Sequence, residues 1–322
     1  MADKPSRGLV LYADGLARFI DPSHTHLHSL ASKANCGFLT LPNAPSSECE
    51  DDRIIREFAY LLDAAEAYIS KTSGEINAKA ECQSSSLITT ISERFMGMKA
   101  ALITTKSSLK SFAGQLGLTV FQPSELLESG HSLLDLPVDA VASELLKLLG
   151  FQEGKKLEMG LFDLVFVHIG AGEEDNGEKG RTINSYMGYI NSLVGHIMHV
   201  AQPGSEIGPR LHLSVIMSYG SVSDADNLDF SVLVSDDKRN SDFSALFPRQ
   251  SFTMKGEKQR DDVRHCYPML MAQWQYGVTR KDLAETFSFK DFKEHGGNLA
   301  IPVDRFLHEV AFKLWKAPKY GA

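Results

Sequence analysis

An aspartate closes the first apolar run of the chain. Residues 8–15 read GLVLYADG, so Asp14 stands at the carboxyl end of a predicted strand with Gly15 behind it. In α/β proteins ligands gather outside the carboxyl ends of inner strands, and a carboxylate in that position suits a hard divalent cation. Its plainer use is to open a turn. A second acidic group follows a second apolar run, DLVFVHI at 163–169: the loop GAGEEDNGEKG at 170–180 offers Asp175 and Glu178 as oxygen ligands for a hard cation. His24, His26 and His28 alternate in PSHTHLHSL; on a strand they would share a face able to hold zinc, whereas on a helix His24 and His28 share one face and His26 points elsewhere. Cys36, Cys49, Cys82 and Cys266 are widely spaced and form no Cys-x-x-Cys pair, which predicts reduced thiols, without a zinc knuckle or a disulfide framework.

The elements that must position these groups alternate between two periodicities. Strands are predicted at 8–13, 100–104, 118–122, 163–169, 211–218 and 230–235, where short apolar and β-branched runs occur. Between them, 51–69 places Ile54, Ile55, Phe58, Leu61, Leu62 and Ala65 on one face of a helix, with Asp51 and Asp52 in the first turn where the helix dipole favours them. Further helices are predicted at 87–96, 107–116, 138–149, 182–200 and, opened by Pro302, 302–315. Such alternation predicts an α/β fold with a largely parallel central sheet and helices on both faces.

Composition narrows the function. A net charge of −8 over 322 residues argues against a nucleic-acid surface, which needs a basic patch. No signal core and no apolar run of membrane-spanning length is present, so the cytosol is the expected compartment, with the nucleus reachable by diffusion. A P-loop, a dinucleotide fingerprint and a Gly-x-Ser-x-Gly elbow are all missing. Arg260, Arg264 and His265, beside Asp261 and Asp262, offer either an anion pocket or an ordinary surface ion-pair cluster. His295 precedes Gly296 and Gly297, a combination that a helix-ending turn explains without metal.

Taken in order, the opening strand with Asp14-Gly15, the loop LPNAPSSE at 41–48, the block ISERFMGMKAALITTKSSLKSFAGQLGLTVF at 91–121, SLLDLPVDAVASELLKLL at 132–149 and DLVFVHIGAGEEDNGEKG at 163–180 resemble the alkaline phosphatase superfamily. Within it the resemblance is to the cofactor-independent phosphoglycerate mutases of the archaeal type. It implies an alkaline-phosphatase-like fold in one domain over 1–322. It also implies a Ser47 nucleophile and a metal-bridging Asp14 in a two-metal phosphoryl-transfer site. The residues themselves leave Ser47 a second use, as N-cap of the helix that follows. The resemblance further puts a helix over the three alternating histidines, which disfavours their zinc reading.

The departures from that pattern matter as much. The loop after 163–169 lacks the family's histidine, and Ser218-Tyr219-Gly220 stands where the family has Asp-His-Gly. A phenol stays protonated near neutral pH and is a poor substitute. The mutases also insert a substrate-gripping domain where only the polar, Ser-rich surface connection 70–86 remains here. The resulting expectation is a non-catalytic relative that acts as a binding or regulatory protein, recognising a protein partner or a small phosphorylated ligand. The alternative is a metal-dependent phosphohydrolase or phosphotransferase, with Ser47 as nucleophile and one manganese, zinc or magnesium ion held by Asp14 with Asp175 or Glu178.

Overall fold

Strand β1 (Arg7–Asp14) forms where the apolar run predicts it, and all but its first residue are buried. With a side-chain period of two, Leu9, Leu11 and Ala13 enter one apolar layer while Val10 and Tyr12 enter the other. The computed structural model describes residues 6–45, 47–69, 88–127, 133–157, 160–170, 179–222, 230–232, 254–255, 258–277, 282–297 and 299–318. Strands β2 (Asn35–Thr40), β3 (Ala100–Ile103), β4 (Thr119–Phe121), β5 (Leu164–Gly170), β6 (Leu211–Met217), β7 (Met269–Trp274) and β8 (Leu299–Pro302) join β1 in one sheet of order β8-β2-β7-β6-β1-β5-β3-β4. All pairings are parallel except those of β7, which runs antiparallel to β2 and β6.

The main helices are α1 (Thr25–Ala31), α2 (Glu50–Leu61), α3 (Ser107–Gln115), α4 (Val138–Leu148), α5 (Lys179–Val200), α6 (Phe289–His295) and α7 (Phe306–Lys313). Residues of α1, α4, α5 and α6 pack into the layer that holds Leu9 and Leu11; residues of α2, α3 and α7 pack into the layer that holds Val10 and Tyr12. The inward stripe predicted for 182–200 is present, with Met187, Ile190, Val194 and Ile197 fully buried. The sheet therefore has a helical layer on each face, as the alternation predicts.

Several local expectations change. The helix predicted at 87–96 shrinks to Ile91–Arg94, because Thr90 caps it there: Thr90 and Glu93 form a reciprocal capping box. Of the strand predicted at 230–235, residues 230–232 show only an isolated bridge from Ser231 to Cys266, and 233–235 lie outside the described residues. The connection 70–86 also lies outside them. Strands β2, β7 and β8 were not anticipated.

The glycines after His295 have a packing reason. Helix α6 stops at Gly296, where an added Cβ would lie 2.5 Å from the Phe292 carbonyl oxygen and 2.7 Å from that of Cys36. An added Cβ at Gly297 would collide with the Asp282 carboxylate, which accepts from the backbone N–H groups of Cys36 (3.0 Å) and Gly297 (2.6 Å). His295 itself is tied to Asp291 at 2.7 Å. Gly296→Ala is expected to destabilise the fold by about 1–3 kcal/mol, read as a lower urea midpoint; an unchanged midpoint would mean that the backbone yields freely there.

Candidate functional site

The register of the parallel strands brings the predicted rim together. Asp14 is paired with Gly170, and Ala13 with Met217, so Asp14, Gly170 and Ser218 stand side by side at the carboxyl ends of β1, β5 and β6. Ser218 closes the corner: its N–H donates to the Ala13 carbonyl (3.0 Å), and its hydroxyl accepts from Gly15 N–H (2.9 Å) while donating to Asp14 Oδ1 (2.7 Å).

Helix α2 supplies the other half. Its N-cap is Cys49, whose sulfur accepts from Asp52 N–H at 3.4 Å, so the capping role open to Ser47 falls to Cys49. Glu50, Asp51 and Asp52 fill the first turn. One turn in, Arg53 reaches the strand end and grips Asp14 with both arms, Nη1 to Oδ1 at 2.9 Å and Nη2 to Oδ2 at 2.8 Å. The same guanidinium donates to Glu50 (2.6 Å) and Glu57 (3.0 Å), and Ser221 holds the other oxygen of Glu50 at 2.6 Å. Tyr12 hydroxyl lies within hydrogen-bond range of both Asp14 (3.3 Å) and Glu57 (3.2 Å).

The two buried carboxyls respond differently. Burial pushes Asp14 up, but the hydrogen bonds and charge of Arg53 outweigh it, and the group stays below the ordinary aspartate value. Glu57 is fully buried, and burial prevails over the attraction of Arg53, so its carboxyl is pushed up. Of the pair, Asp14 gives up its proton more readily.

Tyr219 takes no part in this arrangement. It is buried in an aromatic cluster with Phe230 and Tyr267, ring centroids 5.4 and 5.3 Å away, and belongs to the layer opposite Tyr12. Burial raises its phenol further. Ser47 is exposed in the turn before α2. Asp175 and Glu178 lie outside the described residues. Beside Asp14 the residues do not fit a divalent cation: a guanidinium occupies both carboxylate oxygens, and among the described residues no group of three or more His, Cys, Asp or Glu side chains could hold a metal ion.

The remaining sequence candidates disperse. His24 stands at the N-cap of α1 without capping it, its ring accepting instead from Asp21 N–H at 3.0 Å ahead of the helix; His28 bonds the Asp21 carbonyl and Phe287 N–H, and the ring of His26 lies against Gly195 of α5. Arg260 makes surface ion pairs with Asp262 and Asp304, whereas Arg264 turns inward to the Tyr267 carbonyl and comes within 4.0 Å of Glu57. Arg260, Asp262 and Asp304 instead line a groove of about 610 Å³ with Tyr60 and Asp63, at the far end of α2 from Arg53. Sequence reasoning missed Arg53 and Glu57. Their spacing of four residues on a helix was the available signal, although such pairs usually face solvent.

Solved structures share this architecture. The PH0037 protein of Pyrococcus horikoshii matches with a TM-score of 0.54 at 12% identity over 100% of each chain. The chain shares the fold of that protein. Lower scores are given by a cofactor-independent phosphoglycerate mutase of Thermoplasma acidophilum (TM-score 0.46, 10% identity, 96% of this chain and 99% of that one) and the alkaline phosphatase of the Antarctic bacterium TAB5 (0.47, 9%, 99% and 100%). At such identities the likeness concerns fold and not chemistry. No family model and no curated protein matches the sequence. Among the described residues no helix is long and apolar enough to cross a membrane.

Proposed function

We propose that the chain is a non-catalytic member of the alkaline phosphatase superfamily, one domain over 1–322, which acts in the cytosol as a binding or regulatory protein. The observation that supports this reading best is the bidentate grip of Arg53 on Asp14. A two-metal site needs that carboxylate for a cation, and here an amino-acid cation already neutralises it, with Ser218 supplying a third hydrogen bond. The aromatic setting of Tyr219 points the same way, because a ligand at that position would have to leave the opposite layer. The competing reading, phosphoryl transfer by Ser47 with one divalent cation, draws on the exposure of that serine just before α2. It requires Arg53 to release Asp14.

Metal analysis of the purified protein, followed by a phosphomonoester screen in manganese, zinc and magnesium, tests the two readings. Well under one equivalent of metal and no turnover above the buffer rate are expected. Tight stoichiometric metal binding with rapid turnover that disappears in Ser47→Ala would overturn the non-catalytic reading.

A further inference from the structure

Four of the seven large hydrophobic side chains left exposed among the described residues stand at the end of the sheet away from Asp14. Single exposed apolar side chains are ordinary on a protein surface; their gathering on one rim is not. The rim is built from the residues that lead into four adjacent strands, β6, β1, β5 and β3. Arg210 immediately precedes β6, Arg7 opens β1, Asp163 immediately precedes β5 and Lys99 immediately precedes β3. Backbone hydrogen bonds fasten them together: Arg7 N–H donates to the Arg210 carbonyl (3.1 Å), Gly8 N–H to that of Asp163 (2.9 Å) and Asp163 N–H to that of Lys99 (2.8 Å). Asp163 is the node. Its carboxylate accepts from Lys99 N–H (2.9 Å) and pairs with Arg7 (3.5 Å) and with Lys316 (3.0 Å), which follows the end of α7.

Each exposed side chain is tied to this rim by a few residues of chain. Trp315 directly precedes Lys316, Leu161 lies two residues before Asp163, and Met96 three before Lys99; they are 64%, 62% and 69% exposed. Tyr276, 39% exposed, follows Gln275, whose side chain donates to the carbonyl of Pro209 (2.9 Å), next to Arg210. Such exposures make Trp315, Leu161 and Met96 projections, not walls of a cleft. Met96 (φ 48°) and Trp315 (φ 63°) also hold the left-handed conformation that suits glycine. That backbone costs energy, and side chains so exposed recover little of it by packing.

Charge decides what the rim fits. It carries four cations, Arg7, Lys99, Arg210 and Lys316, against the one carboxylate of Asp163, on a chain whose net charge is −8. The neighbouring hairpin leaves that surplus in place, since its Lys155 and Lys156 are balanced by Glu153 and by Glu206, which accepts from Lys156 N–H. Tryptophan and tyrosine are the side chains that settle at a lipid–water interface, and apolar projections among lysines and arginines bind membranes with anionic headgroups. Projections from four separate segments suit a fluid surface that closes round each of them.

We propose that this rim is a docking surface for a membrane containing anionic phospholipid. Trp315, Leu161 and Met96 enter the headgroup layer, and Arg7, Lys99, Arg210 and Lys316 meet the phosphates. The surface lies at the opposite ends of β1 and β5 from Asp14 and stands whatever the chemistry there.

Co-sedimentation with vesicles of phosphatidylcholine, alone or mixed with phosphatidylglycerol, tests the surface, and tryptophan emission provides the second readout. The chain has two tryptophans, and Trp274 is buried at 6% exposed, so a change on binding reports Trp315. Wild type is expected to bind the mixed vesicles at least tenfold more tightly than phosphatidylcholine alone, with a blue shift of emission that is absent in Trp315→Phe. Lys99→Ala with Lys316→Ala, and Met96→Ser with Leu161→Ser, should each weaken binding at least tenfold at an unchanged urea midpoint. The comparison of the two lipids with wild type decides even where a variant proves unstable. Wild type that stays in the supernatant with both vesicles, which would leave the rim to a protein partner, overturns the proposal. So do equal affinity for the two lipids, full affinity in either folded double variant, and an emission shift that persists in Trp315→Phe.

Discussion

Arg53→Met is expected to destabilise the protein by about 3–5 kcal/mol, because it strands a buried anion without its partner. Asp14 is 3% exposed and Glu57 fully covered, and the guanidinium bonds both. Methionine fills similar volume, so the loss reports charge more than packing. Removing the charge as well should recover part of it: Arg53→Met with Asp14→Asn is expected to lose clearly less than the sum of the single variants, as groups in one network do. The defect should also shrink in acid. Arg53 holds the native Asp14 carboxyl below its ordinary value, and without that cation burial pushes it up. The variant therefore takes up a proton at a higher pH than wild type and gains relative stability as pH falls. Urea unfolding at pH 7.5 and pH 4.5 measures both effects. A loss under about 1 kcal/mol at neutral pH, the range of an exposed ion pair, would show that water reaches the Asp14–Arg53 pair.

The second large effect is a loss of stability in mild acid, carried by two buried histidines. Burial, aided by Lys106 and Arg53 against Asp14, lowers His168 to about 4; burial, aided by Lys313, lowers His212 well below its ordinary value. Unfolded histidines titrate near 6.5. Above that pH both states are neutral and the contribution is fully present. As pH falls through 6.5 the unfolded chain binds protons that the native one refuses, and stability declines until the folded pKa is reached. His168 alone is expected to cost about 2 kcal/mol between pH 8 and pH 5, approaching about 3 kcal/mol at lower pH. Glu57, pushed up by burial, acts in the opposite sense above about pH 4.3 and offsets part of this. Urea midpoints from pH 8 to pH 5 should therefore fall in wild type and fall less in His168→Gln. Identical slopes in the two proteins would show that the native ring is accessible to protons.

Patterning decides much of the architecture before any fold exists. The apolar runs at 8–13, 100–104, 118–122, 163–169 and 211–218 all become strands; the inner four are buried along their length by helices on both faces, whereas Thr119–Phe121 at the sheet edge is only partly covered. Of the stripe predicted over 51–69, Ile54, Ile55, Phe58 and Leu61 become a buried helix face, but α2 ends at Leu61, so buried Leu62 and half-buried Ala65 fall beyond it. Strand β7 escaped notice because MLMAQW is equally consistent with buried helix or strand, and only pairing with β2 and β6 decides. Strand β8 carries a proline, tolerable where it closes the strand at the sheet edge.

The candidate site divides the same way. The apolar runs placed Asp14 and Ser218 at strand ends, and the family resemblance marked Ser218-Tyr219-Gly220 as the departure from a metal-binding pattern, since chemical type is read directly from the sequence. What fills the place beside Asp14 was not readable there. Arg53 lies 39 positions away, and an arginine on a helix usually has its charge in solvent. Only the packing of α2 against the sheet turns its guanidinium inward, where the low dielectric strengthens its bond to Asp14. The inward turn of Tyr219 follows from the same cause. Sequence fixes which groups are available and which elements carry them; their partners depend on which faces the sheet brings into contact.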